Sequence, residues 1–350
     1  MTKLLSPLRI GNLDLPNRVI MAPMTRSRAG AEGIPNALMA NYYRQRAGAG
    51  LIITEGVVVS PQGVGYAGTP GIWSAEQVEG WKLVTNAVHD AGGRIFAQLW
   101  HVGRISHPIF LDGALPVAPS AIAPSGHVSH VRPETAYVVP RALELEELPG
   151  IIEQFRSGAA NAEVAGFDGV EIHGANGYLL DQFLQGHSNR RTDDYGGSIA
   201  NRARLMLEVT YACIGVWGAS RVAMHLSPRG DAHDVGDSDL LATFRHVARE
   251  LGRCGIAFIT VREHPGPDRI GPQLKAAFGG VYVANEGFDQ ASGEAVLVEG
   301  SADAVAYGRL FIANPDLPRR FAEDAPLNSP DPQTFYAGGT NGYTDYLALP

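Results

Sequence analysis

The sequence predicts an α/β fold, a (β/α)8 TIM barrel with an insertion after its third strand. Eight short runs rich in β-branched residues recur along the chain, separated by helical patterns or long loops. Eight such units are the number that closes a parallel barrel. Because barrels of this type tolerate long loops, all 350 residues are expected to form one domain, residues 1–350.

The eight predicted strands follow one another through the whole chain. They are Arg18 to Ala22, Leu51 to Glu55, Arg94 to Leu99, Gly169 to His173, Val222 to Leu226, Ile256 to Val261, Val281 to Ala284, and Ala304 to Gly308. Between the second and third runs, Ser74 and Gln77 indicate a capping box, and Gly92 can end the helix that it starts. An apolar stripe from Leu240 to Leu251 predicts another helix after the fifth run.

The stretch from Gly103 to Pro140 predicts an inserted loop or hairpin, about residues 103–140. It holds six prolines and little periodicity. Barrel active sites lie on the loops that follow the strands, so this insertion is a candidate for substrate contact. His127 and His130 lie three residues apart within it, but no third ligand is evident, and we predict no metal site.

The composition argues against several kinds of partner. A formal net charge of -8 and a pI near 5.8, with no run of lysine or arginine, disfavour nucleic acid. Cys213 and Cys254 have no C-x-x-C spacing, which disfavours both a disulfide framework and an iron-sulfur site. No segment has the apolar length of a signal peptide or a membrane span, so we expect a cytoplasmic protein without a membrane partner.

One glycine-rich segment resembles a dinucleotide-binding fingerprint in its letters only. Gly63 to Gly68 matches G-x-G-x-x-G and follows an apolar run. Thr69-Pro70-Gly71 comes next and cannot open the helix that the fingerprint requires. We therefore interpret the segment as a loop, and any nicotinamide cofactor must bind without a Rossmann fold.

Three polar side chains crowd the end of the fourth predicted strand: His173, Asn176 and Tyr178. Taken singly, they fit a satisfied histidine, an Asn-Gly turn and a core tyrosine. Together at a strand end they favour a site. Two donors from His173 and Asn176 can hold a carbonyl or nitro oxygen, which withdraws electrons from a conjugated C=C bond. Tyr178 can then protonate the other carbon.

Such side chains cannot supply a hydride, so the hypothesis requires a redox cofactor. The ends of the seventh and eighth predicted strands carry Ala284 to Phe288 and Tyr307 to Arg309. These segments provide the glycine-containing turns and the cation of a barrel phosphate site. Taken alone, Arg309 fits equally well a surface arginine near a turn.

Seven stretches between Leu5 and Tyr346 resemble motifs of the old yellow enzyme family, in the family's order. They are Met21 to Arg26, Ala97 to Arg104, His173 to Tyr178, Arg190 to Gly197, Asn201 to Arg204, Ile312 to Leu317, and Gly342 to Tyr346. The resemblance implies a non-covalent FMN across the barrel mouth and NADPH or NADH as the reductant. It also implies ping-pong transfer to a small electron-poor alkene or nitro compound, such as an enone, maleimide or nitroalkene.

The resemblance also implies a role for particular residues. Thr25 would bond the flavin O4, and Gln98 would lie at the pyrimidine edge. The implied cofactor-binding residues are Ala22, Pro23, Met24, Thr25, Gly56, Gln98, His225, Gly287, Gly308 and Arg309, of which the last three would bind phosphate. His173 and Asn176 resemble the pair that holds the substrate oxygen, and Tyr178 resembles the proton donor. Tyr66, Trp100 and Tyr343 would wall the pocket.

One departure from the family pattern concerns flavin N1. Where the family reads R-V-G-x-R-x-S-P, this chain reads Arg221 to Pro228, with His225 in place of the second arginine. We hypothesise that the charge of reduced FMN raises the pKa of His225, or that Arg229 or Arg262 compensates. A second departure is Glu286, an acid beside the phosphate turns; if only backbone amides face the phosphate, its carboxylate can point to solvent.

Two alternatives to the main hypothesis belong to other classes. A flavin-binding protein with weak or altered turnover would follow from the loss of the arginine at position 225. Intact His173, Asn176 and Tyr178 argue against it. The larger branch of related barrels carries an iron-sulfur cluster, which two cysteines cannot ligate. An assembly state of monomer or homodimer is expected.

Overall fold

The chain forms twelve strands in the residues that the computed structural model describes, 2–230, 232–336 and 338–350. The strands are β1 (Leu8–Ile10), β2 (Leu13–Leu15), β3 (Val19–Met21), β4 (Leu51–Val58), β5 (Ile95–Trp100), β6 (Val117–Ala118), β7 (Arg141–Ala142), β8 (Gly169–His173), β9 (Val222–Leu226), β10 (Phe258–Arg262), β11 (Val281–Asn285) and β12 (Ala304–Tyr307). The α-helices are α1 (Ala37–Gln45), α2 (Ala75–Asp90), α3 (Leu148–Val164), α4 (Leu179–Leu184), α5 (Ile199–Trp217), α6 (Leu240–Cys254), α7 (Gly271–Phe278), α8 (Gln290–Val298), α9 (Arg309–Ala313) and α10 (Leu317–Glu323).

Eight of these strands close into a parallel barrel. In chain order they are β3, β4, β5, β8, β9, β10, β11 and β12, and β12 pairs back onto β3. The predicted (β/α)8 barrel is therefore confirmed, and every predicted run overlaps one of its strands. The second predicted strand is β4, which continues three residues past the predicted end at Glu55 and so brings Gly56 opposite Gln98 of β5. The sixth predicted strand is β10, which ends at Arg262 rather than at Val261 because Arg262 still pairs with Asn285 of β11.

Two apolar layers hold the barrel together. One lies between strands and helices, where Trp81, Phe155 and Phe244 are completely buried. The other fills the barrel interior, where Phe96 and Phe258 meet the apolar side chains of the β1–β2 hairpin. Since side chains alternate across a strand, Gln98 shares the inward face of Phe96 on β5, and Thr260 shares that of Phe258 on β10, so polar side chains follow apolar ones toward the carboxyl ends of these strands.

Local sequence signals set the helix boundaries. The capping box of Ser74 and Gln77 is present at the start of α2, with both reciprocal hydrogen bonds. Gly255 ends α6 in the left-handed region, at a φ of 69°. The glycine-rich segment Gly63 to Gly68 opens no helix, and the next α-helix begins only at Ala75. Interpretation of that segment as a loop is therefore correct.

The insertion runs between β5 and α3. Its short strand β6 pairs in parallel with β7, and a bridge joins His127 to Ala136. Tyr137 packs against the cluster of Val58 and Trp100, so the insertion returns to the carboxyl end of the barrel. Within the described ranges, no helix is both long and apolar enough to cross a membrane.

Candidate active site

Three adjoining cavities open at the carboxyl end of the barrel, and Pro23 lines all of them. The large cavity has a volume of about 620 Å³ and is bounded by residues that include Ala22, Asn176, His225, Arg262, Gly287, Gly308 and Arg309. The small cavity, of about 90 Å³, is bounded by Pro23, Thr25, Gly56, Gln98, Trp100, His173, Asn176, Tyr178 and His225. The outer cavity, of about 410 Å³, is bounded by residues that include Met24, Thr25, Tyr66, His130, Tyr178 and Tyr336. Of the residues that the sequence assigns to catalysis, cofactor binding or substrate binding, the cavities bring together all but Tyr343.

Buried polar atoms around the small cavity lack partners. Nε1 of Trp100, Nδ1 of His173 and Nε2 of His225 make no hydrogen bond within the part of the chain that the structure describes. A buried polar group left without a partner costs about 1–3 kcal/mol. Three such groups around one space therefore indicate a site whose ligand supplies the missing partners.

Gly56 leaves room for the ring of Trp100 beside this cavity. A Cβ built on Gly56 would lie 2.5 Å from Cε3 of Trp100, closer than carbon atoms approach. Any side chain at position 56 would therefore displace the tryptophan ring and its unpaired nitrogen.

His225 belongs to a hydrogen-bonded chain inside the barrel. Nε2 of Gln98 donates to Oε2 of Glu171 over 2.8 Å and lies 3.0 Å from Nδ1 of His225. Because an amide nitrogen only donates, Nδ1 of His225 accepts, and its proton sits on the unpaired Nε2. Burial, and then the charge of Arg262, lower the pKa of His225 to about 3. The ring is thus a neutral N–H donor.

Glu171 is a buried acid bonded to Gln98 of the site that the sequence reasoning missed. Its side chain is completely buried, and its second oxygen accepts from Oγ1 of Thr260 over 2.6 Å. Burial raises the pKa of this carboxyl group to about 7, although both hydrogen bonds act to lower it. The available signal was an acid in the middle of the apolar run Gly169 to His173, where a charge needs a partner.

His173 stands between two other rings. Its imidazole stacks against Trp100 with centroids 6.1 Å apart and against His225 with centroids 5.3 Å apart. Burial lowers the pKa of His173 well below its ordinary value, and electrostatic interaction with His225 and with Arg262 acts in the same direction. The histidine is therefore a neutral hydrogen-bonding group rather than a cation.

The turn after β8 fixes Asn176. Its φ of 59° lies in the left-handed region, which asparagine tolerates better than most residues. The backbone N–H of Asn176 donates to Oγ of Ser227 over 2.6 Å, and that of Gly177 donates to Oδ2 of Asp181 over 2.8 Å. Two side-chain acceptors therefore hold the backbone from which the Asn176 amide projects.

Tyr178 is joined to a second tyrosine. Its hydroxyl lies 2.9 Å from the hydroxyl of Tyr66, and one of the two donates to the other. Burial raises the pKa of both phenols, so both keep their protons at neutral pH. Tyr66 also lines the outer cavity. The pair therefore connects the small cavity with the space through which a substrate would enter.

Arg262 and Glu286 form an ion pair at the rim of the large cavity. The Glu286 carboxylate is partly exposed, and one of its oxygens lies 3.0 Å from Nε of Arg262. Arg229, the other arginine considered as compensation for His225, pairs with Asp268 over 2.9 Å instead. Arg262 is thus the arginine that shares a cavity with His225.

The turns at the far end of the large cavity carry Gly287, Gly308 and Arg309. Gly287 has a φ of 79°, and a Cβ there would lie 2.6 Å from Cγ of Pro265. Glycine is required at this position for both reasons. Backbone N–H groups after such turns are free of helical partners and, together with a guanidinium, suit an anionic group.

Tyr343 is not among the residues that line the three cavities, so the expectation that it walls the pocket is wrong. It is completely buried and stacks on Tyr42 with centroids 4.1 Å apart. The reason is Arg26, which lies 5.1 Å from the Tyr343 ring centroid and donates to the carbonyls of Phe335 and Gly342. These contacts draw the carboxyl-terminal segment against the barrel.

The outer cavity is also walled by residues that were not predicted from the sequence as pocket residues. Phe335 and Tyr336 come from the carboxyl-terminal segment, and Ser129 and His130 come from the insertion. His130 lies against Tyr336 with ring centroids 4.6 Å apart, so the two segments meet above the barrel. Sequence position alone carries no signal for such a meeting.

Metal ligation finds no support at these positions. In the described ranges no three His, Cys, Asp or Glu side chains are grouped as a metal site requires. His127, one of the two histidines weighed as a ligand, instead pairs with Glu134 over 3.0 Å.

Four features together define the class of barrel oxidoreductases that bind a flavin. They are the parallel (β/α)8 barrel, the unpaired neutral donors at its mouth, the phenol pair beside these donors, and the glycine turns with an arginine beyond them. The NADH:flavin oxidoreductase / NADH oxidase family model matches residues 3–328. The chain belongs to this family, and the resemblance to old yellow enzymes is confirmed.

Named relatives agree with this assignment. 12-Oxophytodienoate reductase 1 of Oryza sativa subsp. japonica is 44% identical over 361 residues, which cover 99% of this chain and 93% of the relative. The old yellow enzyme homologue from Zymomonas mobilis superposes with a TM-score of 0.97 at 43% identity, covering 99% of this chain and 100% of the other. Morphinone reductase in complex with tetrahydroNAD gives 0.96 at 47% identity, covering 100% and 98%. The protein is an NAD(P)H-dependent flavin oxidoreductase.

Proposed function

We propose that this protein is an FMN-dependent ene-reductase that reduces activated C=C bonds of small electron-poor alkenes, including enones, maleimides and nitroalkenes. The observation that carries the proposal is the position of Tyr178. Its protonated hydroxyl lines the same small cavity as His173 and Asn176. A proton donor thus stands beside two groups that can hold an activating oxygen.

The residues present fit FMN. The unpaired Nε2 of His225 and the amide of Gln98 supply hydrogen-bonding groups for the polar edge of a flavin. We assign the ring to Ala22, Pro23, Met24, Thr25, Gly56, Gln98 and His225, and the phosphate to Gly287, Gly308 and Arg309. When bound, FMN supplies the chemistry that these side chains lack, accepting a hydride from NADH or NADPH and delivering it to the second substrate.

The side chains have separate tasks in the reduction of the alkene. His173 and Asn176 donate to the carbonyl or nitro oxygen and stabilise the negative charge that it gains as the hydride reaches the remote carbon. The electrons of the double bond move toward that oxygen. Oη of Tyr178 then gives its proton to the carbon next to the activating group, which completes the C–H bond. Removal of one such oxyanion donor costs about 10²–10³-fold in rate.

The nicotinamide and the alkene would use the same mouth in turn, which is ping-pong kinetics. The chain has no glycine fingerprint that opens a helix, and the segment Gly63 to Gly68 is a loop. The morphinone reductase structure, by its name, holds tetrahydroNAD on the same fold. We propose the same order for this protein, in the cytoplasm and as a monomer or homodimer.

An anaerobic titration tests the proposal. The purified yellow holoprotein is bleached with NADH or NADPH, and 2-cyclohexenone or N-methylmaleimide is then added. Return of the oxidised flavin spectrum, with one alkene consumed per flavin, is the expected result. A flavin that neither nicotinamide reduces would contradict it and support the alternative, a flavin-binding protein with weak or altered turnover caused by His225.

A further inference from the structure

Arg262 divides its donors between two acceptors. Nε and Nη2 face the two carboxylate oxygens of Glu286, each over 3.0 Å. The Nη2 contact is a hydrogen bond, and the Nε contact is a close approach of opposite charges. The third nitrogen, Nη1, donates to Oδ1 of Asn176 over 2.8 Å. One arginine therefore ties the acid of the β11 turn to the amide of the β8 turn.

The contact decides which way the Asn176 amide faces. Because a guanidinium only donates, the amide oxygen must point toward Arg262 and the NH2 group must point away from it. Within the described ranges Nδ2 of Asn176 has no hydrogen-bond partner, and Asn176 lines the small cavity beside His173 and Tyr178. The amide is thus held with its donor available to a ligand.

We propose that the Arg262–Glu286 ion pair is the positioning device of the site: it locks the Asn176 amide as a donor and sets a cation behind the oxygen that gains charge. This inference rests on the proposed ene-reductase function. Arg262 is a positioning residue, since it acts on the substrate oxygen through Asn176.

Glu286 is as much a part of the device as Arg262. It holds a φ of 84°, a backbone region that favours glycine, and it is followed by Gly287 with a φ of 79°. A glycine at position 286 would fit the backbone better but could not hold the arginine. The carboxylate also compensates the guanidinium charge, and Nδ1 of His264 lies 3.4 Å from its Oε1.

Arg262 also acts on its surroundings through its charge. It contributes to the lowered pKa of both His225 and His173, and it opposes the rise in the pKa of Tyr178. The same charge would favour negative charge developing on a bound substrate. Arg229 cannot take this part, because its guanidinium is engaged by Asp268.

The test compares Arg262→Met, Arg262→Lys and Glu286→Gln with the control Arg229→Met, which removes a neighbouring guanidinium that does not contact Asn176. Stopped-flow absorbance follows the two half-reactions of the holoenzyme separately. For Arg262→Met we expect reoxidation by 2-cyclohexenone to slow by roughly 10- to 100-fold, while bleaching by the nicotinamide changes by less than about threefold. Arg262→Lys should keep part of the reoxidation rate that Arg262→Met loses, and Glu286→Gln should lose less of this rate than Arg262→Met. The control Arg229→Met should reoxidise at the rate of the parent.

A crystal structure of the Arg262→Met holoenzyme supplies a readout apart from turnover. We expect the Asn176 amide to rotate or to lose its single orientation, while the Asn176–Gly177 backbone stays in place. An unchanged amide, or equal slowing of both half-reactions together with loss of FMN, overturns the inference. Failure of the parent enzyme to reoxidise with any alkene overturns the proposed function instead, and the amide orientation still decides the inference.

Discussion

Replacing Glu171 with glutamine should make the protein more stable than its parent above neutral pH. Burial raises the pKa of Glu171 from 4.5 to about 7, so the folded protein keeps this proton over a range in which the unfolded chain loses it. Parent stability therefore falls as the pH rises from 4.5 to 7 and stays lower above that. The full loss is about 2.5 pKa units at 1.36 kcal/mol each, or roughly 3 kcal/mol.

The glutamine can keep both hydrogen bonds of the carboxylate. Its carbonyl accepts from Gln98, and its NH2 group donates to the hydroxyl of Thr260, which can accept as well as donate. The assay is urea unfolding at about pH 5 and about pH 8.5 with excess FMN. The variant should gain about 3 kcal/mol over its parent at the higher pH and less than about 1 kcal/mol at the lower.

A matched control separates this carboxylate from the others. Asp181 is also buried with its pKa raised to about 7, so the parent alone would show a pH dependence of mixed origin. The difference between Glu171→Gln and parent cancels the Asp181 contribution. Glu163, an exposed residue of α3, is the control position, and Glu163→Gln should track the parent at both pH values. Equal gains for Glu171→Gln at both pH values, or a loss at the higher one, would refute the reasoning.

Three further changes probe the chemistry. Tyr178→Phe should slow reoxidation by the alkene by about 10²–10⁴-fold in stopped-flow traces and leave bleaching by the nicotinamide nearly unchanged; equal effects on both steps would argue against a proton donor. Tyr66→Phe removes the hydroxyl 2.9 Å from that of Tyr178, and a smaller loss, about tenfold, should appear in the same step with an altered solvent isotope effect. His225→Arg replaces a neutral ring, whose pKa is lowered to about 3, with a permanent charge, and should raise the flavin potential by about 30 mV or more. An unchanged potential and pH profile would show that position 225 does not set the charge balance.

The barrel was predictable because each of its signals is local. β-branched runs mark the strands, and Ser74 with Gln77 marks the start of α2. His173, Asn176 and Tyr178 all follow from the end of one strand, β8, and the sequence could place them at the barrel mouth because the carboxyl ends of parallel strands meet at one face of a barrel. Periodicity could not locate strand ends: Gly56 extends β4 because it pairs with Gln98, a contact between distant residues.

The interactions that the sequence did not reveal are those between distant loops. Tyr343 is an aromatic residue of the kind that walls pockets. Arg26, more than three hundred positions earlier in the chain, instead donates to the carbonyl of Gly342 and holds this segment inside the protein. The ion pair of Glu286 could not be predicted from the sequence, because its partner, Arg262, lies on another strand. The hydrogen bonds of Glu171 could not be predicted because they lie inside the barrel, where Gln98 and Thr260 reach its carboxylate from two other strands.

A deletion or a fused tag at the carboxyl terminus would act on the pocket from a distance. Arg26 and Arg28 grip the carbonyls of Phe335 and Thr334, and Arg26 directly follows Thr25, which lines the small cavity. Weakening these hydrogen bonds would move Phe335 and Tyr336, which line the outer cavity, while the barrel and its strand ends remain intact. Substitutions in this carboxyl-terminal segment are therefore a way to admit bulkier molecules. They leave unchanged every group in contact with the transferred atoms.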